Sequence, residues 1–425
     1  MAAIPRGLEP VRQVLDNGAV VIAKHSPVTP AVTVHASFAA GSIYDPSGQN
    51  GLAQFCSKLI DRGSLERNGD QIADELENRG VSLNIAVNRH ALQLVLTCLV
   101  EDLTPALGIL ADIAMHAQYP ESEVGNKRGE LITLIRQDED NPAAVASEAT
   151  MAALYGADHP YGRQPRGSID GIESVTRAAL LAFHAARITP PTLSLVMVGD
   201  IEPAAAMAAA QQAFGRWRGT PAGDVVLSEP VTPAGRSVRV IPMMSKSQAD
   251  ISYGFASVRR ADPEYYAYWL MNNILGQYSI GGRLGERIRE RQGMAYYAFS
   301  GLDAHVIRGP LLIRAGVSAD NVERAIASID QELTAMATEG PTEAEVQESR
   351  QYLVGSMPRH LETNLGIANY LQTEELFGLG LDYDLRVPSL LAAVTRDDIH
   401  EAARRTLDPA RAVVVVAGPY AGQLR

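Results

Sequence analysis

The hydrophobic pattern of this chain changes period along its length. Residues 19–23 and 92–100 are short apolar runs bounded by turn-forming residues, and residues 32–38 alternate in part; all three read as strands. Residues 71–79 and 101–115 place apolar side chains at helical spacing, and the first of these helices is expected to end at Gly80. Leu52, Phe55, Cys56, Leu59 and Ile60 fall at i, i+3, i+4, i+7 and i+8, which is one apolar stripe of an amphipathic helix. Gln54 and Lys58, four residues apart, share its polar face.

The pattern repeats. Val175-Thr176-Arg177 opens a helical stretch followed by Pro190, an apolar run over 193–198 and Gly199. Val394-Thr395-Arg396, Pro409, the run 412–417 and Gly418 give the same order at a constant offset of 219 residues (394 − 175). A repeat of this length implies a duplicated domain, because solenoid repeats are about 20–50 residues long. Gly and Pro punctuate the stretch between the copies. We therefore expect domains at 1–218 and 237–425, joined by a linker at 219–236. Strands beside helices in each half, with no G-x-G-x-x-G after a strand, predict an α+β fold: two homologous α/β sandwich domains rather than a doubly wound sheet.

Bulk composition narrows the function. With 425 residues, 46% apolar and 20% charged, the chain is long enough for two cores. The net charge of −12 argues against non-specific nucleic-acid binding. The two cysteines, Cys56 and Cys98, sit in apolar periodic segments and read as reduced core thiols. No run of about 18 apolar residues predicts a membrane span. The first residues, Met1 to Arg6, lack a signal-peptide layout, so the cytoplasm is the expected compartment, or the periplasm if a signal segment has been removed.

Two stretches bear on chemistry. The i, i+4 geometry of Gln54 and Lys58 is the one a zinc helix uses to aim two imidazoles at one ion, yet neither residue is a suitable ligand. An ammonium has no lone pair and repels a dication. On spacing alone this is a plain amphipathic helix. The second stretch, 288–301, reads as a helix through Arg291, a turn at Gly293 and an aromatic-rich strand from Met294. Physically, an Arg there caps a helix and a Tyr is half-buried. Gly281-Gly282 reads as a tight loop.

Several pieces, in order, resemble peptidase family M16, the inverted-zinc-motif or pitrilysin-like family that includes mitochondrial processing peptidase. They are Asn17-Gly18, Gly41-Ser42, Gly51-Leu52-Ala53-x-Phe55, Glu139-Asp140-Asn141-Pro142, His159-Pro160-Tyr161-Gly162, Gly167, Val198-Gly199-Asp200, Gly282-Arg283-Leu284 and Phe299-Ser300-Gly301. The resemblance implies a duplicated LuxS-like metallohydrolase-type fold forming one half of a clamshell. It also implies that Gln54 and Lys58 stand where catalytic members carry the two histidines of HxxEH. Ser57 stands at the general base, and Leu134 at the downstream glutamate ligand. Arg289 and Tyr296, seven residues apart, match the Arg/Tyr pair that family members bring to the partner's zinc site to hold the scissile carbonyl and its oxyanion. Arg291 and Tyr297 are the alternatives in register.

These implications make the chain a zinc-free subunit of the two-subunit M16B type. It would have no cofactor of its own and be inactive alone. It would form a heterodimer with a homologous HxxEH-bearing subunit that holds zinc, and act on unfolded peptides. The alternatives are a structural or peptide-binding pseudoenzyme resembling the core proteins of the bc1 complex, and a peptide-capturing homodimer without catalysis.

Overall fold

The computed structural model describes residues 7–231, 233–277 and 282–422. The chain forms two compact units. Unit 1 comprises Met1–Ile135, Gln164–Val226 and Met357–Leu385; unit 2 comprises Arg136–Arg163, Leu227–Ser356 and Arg386–Arg425. The break between Val226 and Leu227 falls inside the expected linker, and the described residues of 219–236 form no helix or strand. The units nevertheless differ from simple sequence halves, because each takes a segment from the other half.

Unit 1 is built on six strands: β1 (Val11–Val14), β2 (Val20–His25), β3 (Ala31–Phe38), β4 (Ser82–Val87), β5 (Leu92–Leu99) and β6 (Leu193–Gly199). Their order is β1-β2-β6-β3-β5-β4. Unit 2 has β7 (Ser237–Pro242), β8 (Ala249–Ala256), β9 (Ala295–Leu302), β10 (Pro310–Val317) and β11 (Val413–Gly418), in the order β7-β11-β8-β10-β9. Apart from β1, the two sheets have one topology. In each a single parallel pair, β2–β6 or β7–β11, is followed by antiparallel neighbours.

The 219-residue offset reproduces whole elements. The helix Arg177–Arg187 becomes Arg396–Thr406, and the 3-10 turn Pro190–Thr192 becomes Pro409–Arg411. The cause is local and the same in both copies: the Thr176 and Thr395 hydroxyls accept the N–H groups of Ala179 and Asp398, both at 3.1 Å. The helix predicted at 71–79 starts earlier, at Gly69–Glu77, because Asn68 and Gln71 form a reciprocal capping box.

Each sheet is covered on a second face by a helix from the other sequence half. Asn364–Phe377 packs Ile367, Ala368 and Leu371 on Ile22, Val196 and Val198 of unit 1. Pro142–Tyr155 packs Ala146 and Leu154 on Val413, Val415 and Ala417 of unit 2. With both faces covered, β6 and β11 are apolar almost without interruption instead of alternating. Polar side chains fix the two seams. The Gln372 amide donates to the carbonyls of His35 (2.8 Å) and Ser194 (2.9 Å), and the Thr150 hydroxyl donates to Ser252 Oγ (2.9 Å). Gly254 permits the second seam, since a Cβ there would come within 2.4 Å of Thr150 Cγ2.

Candidate functional site: a cationic groove and an exposed Arg/Tyr pair

The helix at the degenerate motif is Leu52–Leu59, and Ile60 caps it. Its predicted stripe, Leu52, Phe55, Cys56, Leu59 and Ile60, is wholly buried. A side chain absent from sequence reasoning sets its start: the Asp45 carboxylate accepts the N–H groups of Gly51 (2.7 Å) and Ala53 (2.8 Å), a favourable place for an anion. Gly51 has φ +101° and lies against Gly167, where a Cβ would sit 2.5 Å from Gly51 Cα. Two glycines from distant motif fragments are thus one close backbone contact.

Cys56 points into the core. Its Sγ lies 3.0 Å from the Tyr119 hydroxyl, which lies 2.7 Å from His184 Nδ1. Burial pushes the Cys56 thiol up to about 12 and His184 down to about 4. The chain of bonds is therefore neutral: the thiol donates to the phenol, which donates to an unprotonated imidazole. Both cysteines are free and buried, as their sequence context indicates.

Ser57, Lys58 and Leu134 line one groove of about 320 Å³, together with Asp61, Lys127 and Glu130; Gln54 is outside it. Ser57 is buried, and its hydroxyl donates to the Gln54 carbonyl at 2.7 Å within its own helix. The two acids are held by neighbouring cations, Asp61 by Arg62 at 3.2 Å and Glu130 by Lys127 at 2.8 Å. Lys58 reaches no acid of the described residues at ion-pair distance, although its charge acts on Asp61 together with those of Arg62 and Lys127. Among the described residues no group of three His, Cys, Asp or Glu is placed to hold a metal. A committed hydroxyl, an ammonium and an alkyl side chain at the motif positions do not fit a zinc ion.

The second stretch forms the helix Gly285–Arg291, a turn and β9. Gly293, at φ +61°, donates its N–H to the Arg289 carbonyl (3.0 Å), and Met294 donates to the Ile288 carbonyl (3.2 Å). This closes the helix directly onto the strand, as the sequence indicates. Gly281 lies outside the described residues; Gly282 is buried just before the helix, and its carbonyl accepts Glu286 N–H at 3.0 Å.

Neighbouring arginines and tyrosines are sorted by their partners. Arg283 is clamped to both oxygens of Glu345 (2.6 and 2.8 Å), Arg287 is bound to Glu332 and Gln331, and Arg291 reaches Glu286 at 2.6 Å. Among the described residues Arg289 pairs only with its chain neighbour Glu290, at 3.5 Å. The Tyr297 hydroxyl donates to the buried Asp250; its own burial, reinforced by that carboxylate, raises the phenol well above its ordinary range. Tyr296 is 84% exposed and has no hydrogen-bond partner among the described residues. The pairing of β9 with β10 explains its direction. Tyr297 faces Gly316 and Ala295 faces Val317, so Tyr296 is the extra residue of a β-bulge and is turned out of the ladder. Arg289 is thus held only by a long contact to its neighbour and Tyr296 projects into solvent, whereas Arg291 makes a short surface pair within its own helix and Tyr297 is tied to Asp250.

Residues 20–164 match the family described as Insulinase (Peptidase family M16), and residues 174–353 match the Peptidase M16 inactive domain. An uncharacterized zinc protease of Mycobacterium leprae is 25% identical over 423 residues, covering 97% of this chain and 92% of that protein. One from Bacillus subtilis is 23% identical, covering 96% and 98%. Among solved structures, the peptidase M16 inactive domain from Pseudomonas fluorescens superposes with a TM-score of 0.91 at 25% identity, over 98% of this chain and 99% of that one. A protease from Helicobacter pylori shares the fold, with a TM-score of 0.87 at 16% identity over 96% and 99%. Two consecutive family matches on a duplicated α/β sandwich place this chain in peptidase family M16.

Proposed function

We propose that this chain is the zinc-free subunit of a heteromeric M16 peptidase and supplies Arg289 and Tyr296 to a peptide held at the zinc site of a homologous HxxEH-bearing partner. The observation that carries this reading is the contrast at residue level. The zinc positions of the family resemblance hold Gln54, Ser57, Lys58 and Leu134, while Arg289 has only the adjacent Glu290 at 3.5 Å and Tyr296 no hydrogen-bond partner among the described residues. In this reading the ion and its water belong to the partner. The guanidinium and the phenol of this chain donate hydrogen bonds to the scissile carbonyl oxygen and strengthen as negative charge develops there. A guanidinium is charged at any working pH, so it needs no proton transfer to act.

The test is reconstitution. The purified chain is mixed with an HxxEH-bearing homologue, and hydrolysis of an unfolded peptide is followed. Activity should require both chains and fall sharply with Arg289→Ala. A partner that is fully active alone, in a mixture indifferent to Arg289→Ala, would refute the shared site and favour a scaffold role.

A further inference from the structure

We infer that Asp250 and Gly316 are positioning residues that decide which of two adjacent tyrosines is presented beside Arg289, and that they hold Tyr296 outward by holding Tyr297 in. Tyr296 and Tyr297 carry the same side chain, and a strand that slips by one residue exchanges the faces of all its side chains. The choice between them must therefore come from outside β9. The register of three neighbouring strands supplies it. Asp250 on β8, Gly316 on β10 and Tyr297 on β9 lie in one row across the sheet. Paired residues share a face, so the Asp250 carboxylate and the Tyr297 ring are on the same side with one strand between them. The middle residue has no side chain, which lets the ring lie across β10. A Cβ on Gly316 would come within 2.7 Å of Tyr297 Cε1 and 2.3 Å of Gln248 Nε2. The Tyr297 hydroxyl thereby reaches Asp250, which is 4% exposed, and the Gln248 amide lies 3.4 Å from the same carboxylate. A buried carboxylate deprived of a donor is costly. The bond thus pins Tyr297 opposite Gly316 and leaves Tyr296 as the residue outside the ladder.

The first sheet has the same row with other side chains. Thr33 faces Val198 and Asp250 faces Ala417, 219 residues later (417 − 198). From Thr33 the row continues to Thr97 on β5 and Ser82 on β4. Thr97 fills the middle position, its hydroxyl 3.1 Å from that of Thr33, and β4 runs past it in continuous register. The bulge therefore accompanies the glycine and the acid, not the topology that the two sheets share. Arg289 is joined to the same piece of backbone, because Gly293 donates to its carbonyl in the turn that leads into the bulge.

The effect on hydrolysis rests on the Arg289/Tyr296 reading, but the choice between tyrosines does not, and it is tested on the single full-length chain. The probe is N-acetylimidazole, which acetylates accessible phenols, with each tyrosine read by fragmentation mass spectrometry. In the unaltered chain Tyr296 should label at least ~10-fold faster than Tyr297, the ratio that one hydrogen bond to a charged group sustains. In Asp250→Ala the ratio should fall below about threefold, with Tyr296 slowed and Tyr297 quickened, as two registers share the strand. Gly316→Ala should do the same by displacing the ring, and it decides the matter if Asp250→Ala does not fold. Asp250→Asn, whose amide oxygen still accepts the phenol proton, should restore the preference. Equal labelling in the unaltered chain overturns the inference. So does a preference that survives Asp250→Ala and Gly316→Ala, or a Tyr297 set free while Tyr296 labels as before. In the reconstituted mixture Asp250→Ala should lower kcat about 10-fold with KM little changed, and Asp250→Asn should recover it. A mixture that depends on Arg289 but is indifferent to Asp250→Ala removes the positioning role alone. One indifferent to Arg289→Ala removes the shared site and leaves the labelling to judge the choice of tyrosine.

Discussion

β4 and β9 hold equivalent places, each the terminal strand of its sheet, and they present different surroundings. β4 pairs with β5 in unbroken register and borders a groove lined by three cations and two acids. β9 carries a bulge that turns Tyr296 into solvent a few residues beyond the unclamped Arg289. Duplication supplied one topology twice, and the chemistry of each copy was then set by a handful of side chains. The lesson is that sheet order alone does not locate function in this fold; the partners of each polar group do.

The comparison can be broken most severely at the exchanged helices. Leu371→Ala should cost about 2–5 kcal/mol by opening a cavity against β2 and β6, and Leu154→Ala a similar amount against β11. Hydrogen exchange read peptide by peptide should show protection lost first in unit 1 for Leu371→Ala and first in unit 2 for Leu154→Ala. A reversed order would contradict the exchange of segments.

The functional difference between the edges is next in size. In the reconstituted mixture Arg289→Ala should lower kcat by roughly 10²–10³, the usual cost of an oxyanion donor. Gln54→Ala, at a former zinc position outside the groove, should change the rate less than about twofold, which kinetics on the same mixture would check.

Acid should weaken unit 1 through two buried histidines. Burial holds both His35 and His184 down to about 4, against an ordinary value near 6.5. By strand register the position equivalent to His35 in the second copy is Ser252, and the 219-residue offset places Ala403 at that of His184; neither side chain titrates. The unfolded chain therefore binds these protons and the folded chain does not, so stability falls as pH drops from about 6.5 toward 4. By pH 5 each histidine should have removed about 1–2 kcal/mol. Denaturant melts at pH 7 and pH 5 measure this, and a flat profile would remove the argument from burial.

The smallest expected effect separates the adjacent tyrosines. Tyr297→Phe strips the hydroxyl from buried Asp250 and should destabilise the isolated chain by about 1–2 kcal/mol. Tyr296→Phe should stay within about 0.5 kcal/mol in the same melt, because its hydroxyl is solvated. Equal costs would mean that the two residues are not divided between structure and surface chemistry.

Much of this was legible in the residues themselves. The apolar stripe from Leu52 to Ile60, the threonine caps at Thr176 and Thr395 and the 219-residue offset are written at short range, where helical periodicity and hydrogen bonding to the next turn act. The chemical unsuitability of Gln54, Ser57, Lys58 and Leu134 for zinc is likewise a property of side-chain type. Other features had no local signal. Asp45 at the helix start, the Cys56–Tyr119–His184 relay and Asp250 beneath Tyr297 join residues distant in sequence. The exchange of Pro142–Tyr155 and Asn364–Phe377 was also hidden, since an apolar helix face does not state which sheet it will cover. Most telling is the sorting of the arginines and tyrosines at this helix–strand turn. Sequence determined that they would cluster there, and the pair of Arg291 with Glu286 is local to one helix. Tertiary structure decided the rest, because Arg283, Arg287 and Tyr297 meet acids brought up by folding and the bulge at Tyr296 exists only relative to the strand beside it.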